Sequence, residues 1–362
     1  MSGAADVRLQ DSQFGVYVHV PFCASRCDYC AFATWTDRQH LVERYLTAVR
    51  TEIRRAVDDG MARATSVFVG GGTPTLVPGD DLATVISAIP VVDGAEVTVE
   101  CNPDDVTESL LCSYRDAGVN RVSIGVQSMV PHVLLALGRR HDPDNVVAAV
   151  DAVRAVGLAT FNLDVIYGTV GERLSDWEAT LASIVALDPP HVSAYGLTVE
   201  PGTPLADDPD RFPDDDDQAD KYERTDDVLA GVGMRNYEVS NWCRPGHECR
   251  HNQLYWRQGD YRGFGCAAHS HRNGRRWWNV RTPDRYVDLV ESGCETEAAG
   301  ETLDERTRHR EALELALRTS DGVPLDALEG SALPGLVTRA GDRWVLTRAG
   351  RLLANEVSLR LG

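Results

Sequence analysis

Short β-branched runs alternate along the chain with stretches whose apolar positions recur every three or four residues. The runs at 15–20, 66–69, 96–100, 121–125, 162–166 and 191–196 have the length and composition of strands. Between them, 41–57, 80–88, 107–117, 131–137, 144–156 and 174–187 read as helices, with Thr107 and Ser175 as capping residues followed by acids. Six β-α units in succession predict a parallel sheet with helices outside it. A closed eight-unit barrel takes ~250 residues. The pattern therefore predicts an α/β fold built on a partial (β/α)6, TIM-like barrel.

Beyond Leu205 the pattern changes. Residues 207–217 are rich in Pro and Asp and read as a solvated loop; their irregular spacing disfavours a calcium site. Residues 233–280 are rich in Gly, His, Trp and Tyr, with little helical period. From 302 onward the chain reads as helical again, apart from a strand-like 343–347 before a helix beginning at Ala349. The expected organisation is a barrel over 1–232, a barrel-closing His- and aromatic-rich segment over 233–285, and a small, mainly helical accessory domain over 286–362, for which a winged-helix type is one form.

Composition narrows the function. The 362 residues carry 36 Lys+Arg against 55 Asp+Glu, a net charge of -19 that argues against general nucleic-acid binding and against an RNA-modifying role. No apolar run approaches the ~18–20 residues of a membrane span. Met1 to Ser12 lacks a basic flank and apolar core, so the expected location is cytoplasmic, with membrane association only transient and through a partner. Nine cysteines in a chain of this length read as metal or redox ligands and buried thiols rather than disulfides.

The distinctive residues fall where strands end: Cys23, Cys27 and Cys30 after the first, Gly70 to Pro74 after the second, Glu100 and Asn102 after the third, Gln127 after the fourth, Asp164 at the fifth and Tyr195 at the sixth. That edge carries the ligand site in parallel β/α folds. Three thiolates at C-x3-C-x2-C spacing on one loop suit three corners of a 4Fe-4S cluster and leave one iron open. A structural zinc would want a fourth ligand, which is not nearby in sequence.

The cysteine motif resembles that of the radical S-adenosylmethionine superfamily. The series Tyr17-Val-His-Val-Pro-Phe-Cys, Gly70-Gly-Gly-Thr-Pro-Thr, Glu100-Cys-Asn-Pro, Gly125-Val-Gln-Ser, Leu137-Gly-Arg-Arg-His and Asn162-Leu-Asp-Val-Ile-Tyr-Gly resembles the coproporphyrinogen III dehydrogenase branch, which includes the HemW haem chaperones. The resemblance implies a 4Fe-4S cluster on Cys23, Cys27 and Cys30, and S-adenosylmethionine held by Tyr17, Gly71, Gly72, Thr73, Glu100, Gln127, Arg139 and Asp164. It also implies an electron donor for the cluster.

Within that branch the sequence favours a haem carrier over an oxidative decarboxylase. The dehydrogenases carry a fourth cysteine where this chain has Phe32, and a longer segment before the first strand. Cys249-Arg-His-Asn-Gln-Leu-Tyr-Trp256 resembles the HNxxYW motif associated with haem in the HemW family. His251, Asn252, Tyr255 and Trp256 are therefore the haem-binding candidates, His251 first as iron ligand, with Cys249, His247 and His269 behind it. Arg250 or Arg257 is placed to pair with propionates. A crowded zinc site on Cys243, His247, Cys249 and His251 is the lesser reading. Gly265-Cys-Ala-Ala-His-Ser and Tyr167-Gly-Thr-Val-Gly-Glu depart from the family's usual Gly-Pro-Gly-Ala-His-Ser and Gly-Leu-Pro-Gly-Gln. The expected role is transfer of haem to an acceptor protein, with radical chemistry left open and coproporphyrinogen III dehydrogenase activity as the alternative.

Overall fold

The computed structural model describes residues 13–329 and 333–362, so the reading of Met1 to Ser12 lies outside the described residues. Six strands, β1 (Phe14–Val20), β2 (Ala64–Gly71), β3 (Val91–Cys101), β4 (Arg121–Gln127), β5 (Thr160–Tyr167) and β6 (His191–Gly196), pair in parallel in chain order. The crossovers carry helices α1 (Val42–Asp58), α2 (Gly79–Ser87), α3 (Glu108–Asp116), α4 (Pro131–Ala136), α5 (Pro143–Val156) and α6 (Leu174–Ala186). All six expected units are present.

Strand side chains alternate between faces, and the two faces differ sharply. Val16, Val18 and Val20 of β1 join Tyr45, Leu46, Val49 and Ile53 of α1 in the main apolar core. On the other face, Ser66, Glu96, Thr98, Arg121, Ser123, Asn162, His191 and Ser193 are buried but polar. The barrel interior is thus a polar lumen.

Capping follows the sequence at Thr107, whose side chain accepts from the Leu110 amide at 3.2 Å. At α6 it does not. Arg173 is the cap residue, its amide donating to the Asp176 carboxylate at 3.0 Å, and Ser175 lies inside the helix. The acidic run is also only partly a loop. Asp214 caps α7 (Asp215–Gly231), and Asp215, Asp216 and Asp217 fill its first turn, where amides and the helix dipole favour negative charge.

Residues 233–285 add strands to the sheet at both edges. β7 (Arg235–Glu238) and β8 (Asn241–Cys243) add antiparallel beside β6. After α8 (Arg250–Trp256), β9 (Asp260–Phe264) pairs in parallel with β1, followed by the antiparallel β10 (His269–Arg272) and β11 (Arg275–Asn279). Helix α9 (Pro283–Glu291) packs on α1, with Tyr286 5.3 Å from Tyr45, and β12 (Glu297–Thr302) completes the order β12-β11-β10-β9-β1-β2-β3-β4-β5-β6-β8-β7. The main body therefore reaches Thr302, past the expected junction at 286.

The C-terminal unit comprises α10 (Glu305–Leu317), β13 (Val323–Pro324), β14 (Val337–Ala340), β15 (Arg343–Leu346), α11 (Arg348–Leu352) and α12 (Ala354–Ser358). Its strands form a separate sheet in the order β13-β15-β14, over a core that includes Leu313, Leu317, Val323, Leu328 and Val357. Helix outweighs strand in this unit, and the small sheet accompanies it. Arg348 and Arg351 tie it to Asp226 of α7 at 2.8 and 2.9 Å.

Lys221, the chain's only lysine, is fully buried between α7 and the loop after β5. Its ammonium lies 3.1 Å from the Glu172 carboxylate and 2.6 Å from Asp217, and donates to the Glu172 carbonyl at 2.9 Å. Removing one partner of a buried pair strands the other charge. Lys221→Met should lower unfolding stability by ~3–5 kcal/mol in urea titrations, and adding Glu172→Gln should recover most of it.

Candidate functional site

The cysteine loop leaves β1 at its C-terminal end and is fastened on several sides. Phe22 is fully buried and meets Tyr45 edge-on at 5.3 Å, and the Cys23 amide donates to the Trp35 carbonyl at 3.1 Å. Asp28 bonds Arg211 at 2.8 Å, and the Leu205 amide donates to the Asp28 carbonyl at 3.0 Å. Gly72 lies so close beneath the loop that a Cβ there would sit 2.6 Å from the Phe22 carbonyl oxygen. Cys23, Cys27 and Cys30 are all unpaired and half-buried. Burial raises the Cys23 and Cys30 thiols above their ordinary value, and the neighbouring thiols, Cys27 foremost, raise them further. Three thiols held within electrostatic reach of one another, on one anchored loop, fit the donor set of a cluster. Among the described residues, no three His, Cys, Asp or Glu side chains converge tightly enough for a single metal ion.

Two residues expected on the cofactor lie against the cysteines. Arg139 donates to the Cys27 sulfur at 3.6 Å, and to Asn102 Oδ1 and the Gly125 carbonyl at 3.2 Å each. A guanidinium there favours the thiolate. Thr73 donates to the Cys23 sulfur at 3.7 Å. Gln127 ends β4 with φ of 60°, a left-handed backbone that is uncommon outside glycine. Tyr17, Gly71, Glu100 and Asp164 do line the lumen.

These lumen residues are pre-organised. Gly71, with φ of 111°, donates its amide to Glu100 at 3.1 Å, and a Cβ at that position would strike the His19 ring. Burial, then the charge of Asp164, pushes the Glu100 carboxyl up to about 7 against the Gly71 bond. Asp164 accepts from Ser123 at 2.7 Å and Asn162 at 2.8 Å, yet burial still raises it. His19, which sequence reading passed over, bonds the Ala33 carbonyl through Nε2 at 2.8 Å. Its Nδ1 must then accept from the Tyr17 hydroxyl, 3.0 Å away, which links the cysteine loop to β1.

At the N-terminal end of the strands, α8 stoppers the lumen. Glu96 accepts from the Arg250 and His251 amides at 3.1 and 3.0 Å and from Cys249 at 3.6 Å, so the strand carboxylate caps the helix. His251 is 1% exposed; its Nδ1 meets Ser66 Oγ at 2.9 Å and its Nε2 meets Tyr255 Oη at 2.8 Å. Both ring nitrogens are engaged. His247 turns to Thr160 at 2.9 Å, so this histidine, Cys249 and His251 each answer a different strand rather than a common ion. The propionate candidates point elsewhere too, Arg250 to the Gly94 carbonyl and Arg257 to Asp321.

One cavity of about 910 Å³ runs from Ala31, Phe32 and Ala33 of the cysteine loop, past Glu100 and Asp164, to Asn252 and Tyr255 of α8 and the faces of β10 and β11. A second, of about 480 Å³, shares Tyr195, Asn252 and Tyr255 and is bounded by Trp256. There Glu238 is buried, one carboxylate oxygen has no partner among the described residues, and burial pushes the group up to about 7. The sequence reading missed this acid, and a glutamate on an otherwise ordinary short strand gave no signal.

Comparison with known proteins follows the same outline. Residues 17–184 match the profile of the Radical SAM superfamily. The Heme chaperone HemW of Mycobacterium tuberculosis (strain ATCC 25618 / H37Rv) is 42% identical over 95% of this chain and 93% of its own length. Proteins of the same name from Bacillus subtilis (strain 168) and Escherichia coli (strain K12) are 33% and 32% identical, each over 94% of this chain and at least 96% of their own. The solved structure of coproporphyrinogen III oxidase (HemN) from Escherichia coli, a radical SAM enzyme, superposes with a TM-score of 0.84 at 22% identity, covering 97% of this chain and 90% of that one. That likeness concerns the fold.

The raised carboxyls give a pH signature. Between the ordinary glutamate value of 4.5 and about 7 the folded apoprotein holds a proton on Glu100 that the unfolded chain has released. Stability should therefore fall as pH rises through that window. Glu100→Gln should flatten this part of the urea-stability profile and Glu238→Gln should flatten it further; an unchanged slope in both would contradict the assignment.

Proposed function

Because the chain belongs to the HemW family of the radical SAM superfamily, we propose that it is a haem chaperone, which holds a 4Fe-4S cluster and S-adenosylmethionine and passes haem to an acceptor protein. The observation that carries this reading is the single cavity joining the cysteine loop to the HNxxYW helix. Its 910 Å³ lies in the upper part of the ~300–1,000 Å³ range of ligand pockets. Phe32, Phe68, Tyr255, Tyr261 and Trp278 give it aromatic walls suited to a porphyrin.

Cys23, Cys27 and Cys30 would hold the cluster, with Arg139 and Thr73 on the sulfurs of Cys27 and Cys23. Glu100 and Asp164 are the acceptors for cofactor hydroxyls, and Gly71 allows close backbone approach. When bound, the cluster and cofactor supply one-electron chemistry at the open iron; an electron donor serves the cluster. Asn252 and Tyr255 form the floor of the haem cavity, His251 holds Tyr255 from below, and Trp256 walls the adjoining space.

Phe32, 64% exposed at the cavity mouth, takes the position of the dehydrogenases' fourth cysteine. This favours a carrier over an oxidative decarboxylase. Among the described residues no helix is long and apolar enough to cross a membrane. We place the protein in the cytoplasm, where nine free cysteines and a cluster are kept reduced.

Anaerobically reconstituted protein should bind haemin stoichiometrically and release it to an apo-haemoprotein. With coproporphyrinogen III, reductant and S-adenosylmethionine it should form no protoporphyrinogen. The Cys23→Ala, Cys27→Ala, Cys30→Ala variant should lose the brown chromophore and its iron. Turnover of coproporphyrinogen would reassign the protein as a dehydrogenase.

A further inference from the structure

Five histidines line the cavity, and their ring nitrogens separate them. His19 is bonded by Tyr17 and Ala33, and His251 by Ser66 and Tyr255. His191 meets Asn162 Oδ1 at 2.6 Å and Tyr237 Oη at 2.8 Å. His271 meets the Gly259 carbonyl at 3.1 Å, and its Nε2 accepts from the Gly274 amide at 3.1 Å. Each of these four, all buried, would have to break a hydrogen bond to offer a lone pair. His269 is different. Its side chain is exposed to the cavity and has no hydrogen-bond partner among the described residues.

Three further features bear on His269. Its ring stacks on Trp278, the residue paired with it across β10 and β11, at 5.6 Å and 28°. Arg281, exposed in the same wall, has no ion-pair partner among the described residues. Ala267, two residues before His269, holds φ of 55°, an unusual conformation for a residue with a Cβ, and is fixed by its amide, which donates a hydrogen bond to the Val280 carbonyl at 2.9 Å. The turn that aims β10 is thus specified against backbone preference, as happens at functional sites.

We propose that His269, not His251, is the axial ligand of haem iron, with the porphyrin edge beside Trp278 and a propionate on Arg281. Burial and the neighbouring Arg276 lower the His269 pKa, which keeps the imidazole neutral and able to coordinate. The role of the HNxxYW motif is then to stopper the lumen and shape its floor. This assignment rests on the haem-carrier reading, and the experiment separates the two.

Ferric haemin is titrated into the full-length reconstituted protein, into His269→Ala and into Trp278→Ala, read by the Soret band and by electron paramagnetic resonance. Wild type should show a histidine-ligated spectrum. His269→Ala should keep the cluster absorption, bind haemin about tenfold or more weakly and lose that signature, and added imidazole should restore it. Trp278→Ala should keep the ligation signature with weaker binding. A wild-type spectrum in His269→Ala would overturn the ligand assignment while leaving the carrier reading intact. No haemin bound by wild type would overturn both.

Discussion

The inward face of the parallel strands carries buried polar groups, and each must find a partner or pay a desolvation cost of ~1–3 kcal/mol. Ser66, Glu96, Arg121, Ser123, Asn162, Asp164 and His191 sit there, where a fully packed barrel would place Val, Ile and Leu. The rest of the architecture answers that requirement. Helix α8 is capped by Glu96, its His251 is held by Ser66, and the Arg121 guanidinium donates to the His247 carbonyl at 3.3 Å. Below, the lumen is closed by protein; above, Glu100 and Asp164 keep raised carboxyls in an open cavity.

Because α8 supplies the stopper, the sheet need not close on itself. Residues after β6 are free to widen both edges, and β9 to β11 become a lateral wall on which His269, Trp278 and Arg281 stand. The cluster end is held by Phe22 on Tyr45, Arg139 on Cys27 and Arg211 on Asp28, and Tyr45 also accepts from the Cys266 amide in the turn before β10. A ligand carried on the lateral wall shares its cavity with the cysteine loop.

Strand and helix positions up to Leu187 were readable because period-two and period-3.6 patterns are local properties, and the cysteine loop because its spacing lies within eight residues. What the pattern left unread was non-local. The engagement of His251 depends on Ser66, 185 residues away, and no spacing announces it. Arg139 stands in a motif that borders the site, and its reach to Cys27 is set by the turn after α4. The aspartate run read as a loop because charge hides helical period, although Asp214 is a capping residue of ordinary type. β9 to β12 are short strands rich in Arg, Trp and Gly, whose pairing is fixed by neighbouring strands rather than by their own alternation.

The central claim is that haem is carried inside the lumen, on the β10–β11 wall. Crystals of reconstituted, haemin-loaded protein measured at the iron absorption edge test it most directly. The account predicts two separate iron peaks, one on the loop of Cys23, Cys27 and Cys30 and a second inside the cavity beside His269. A second peak on the outer helical layer or on the C-terminal unit would contradict it.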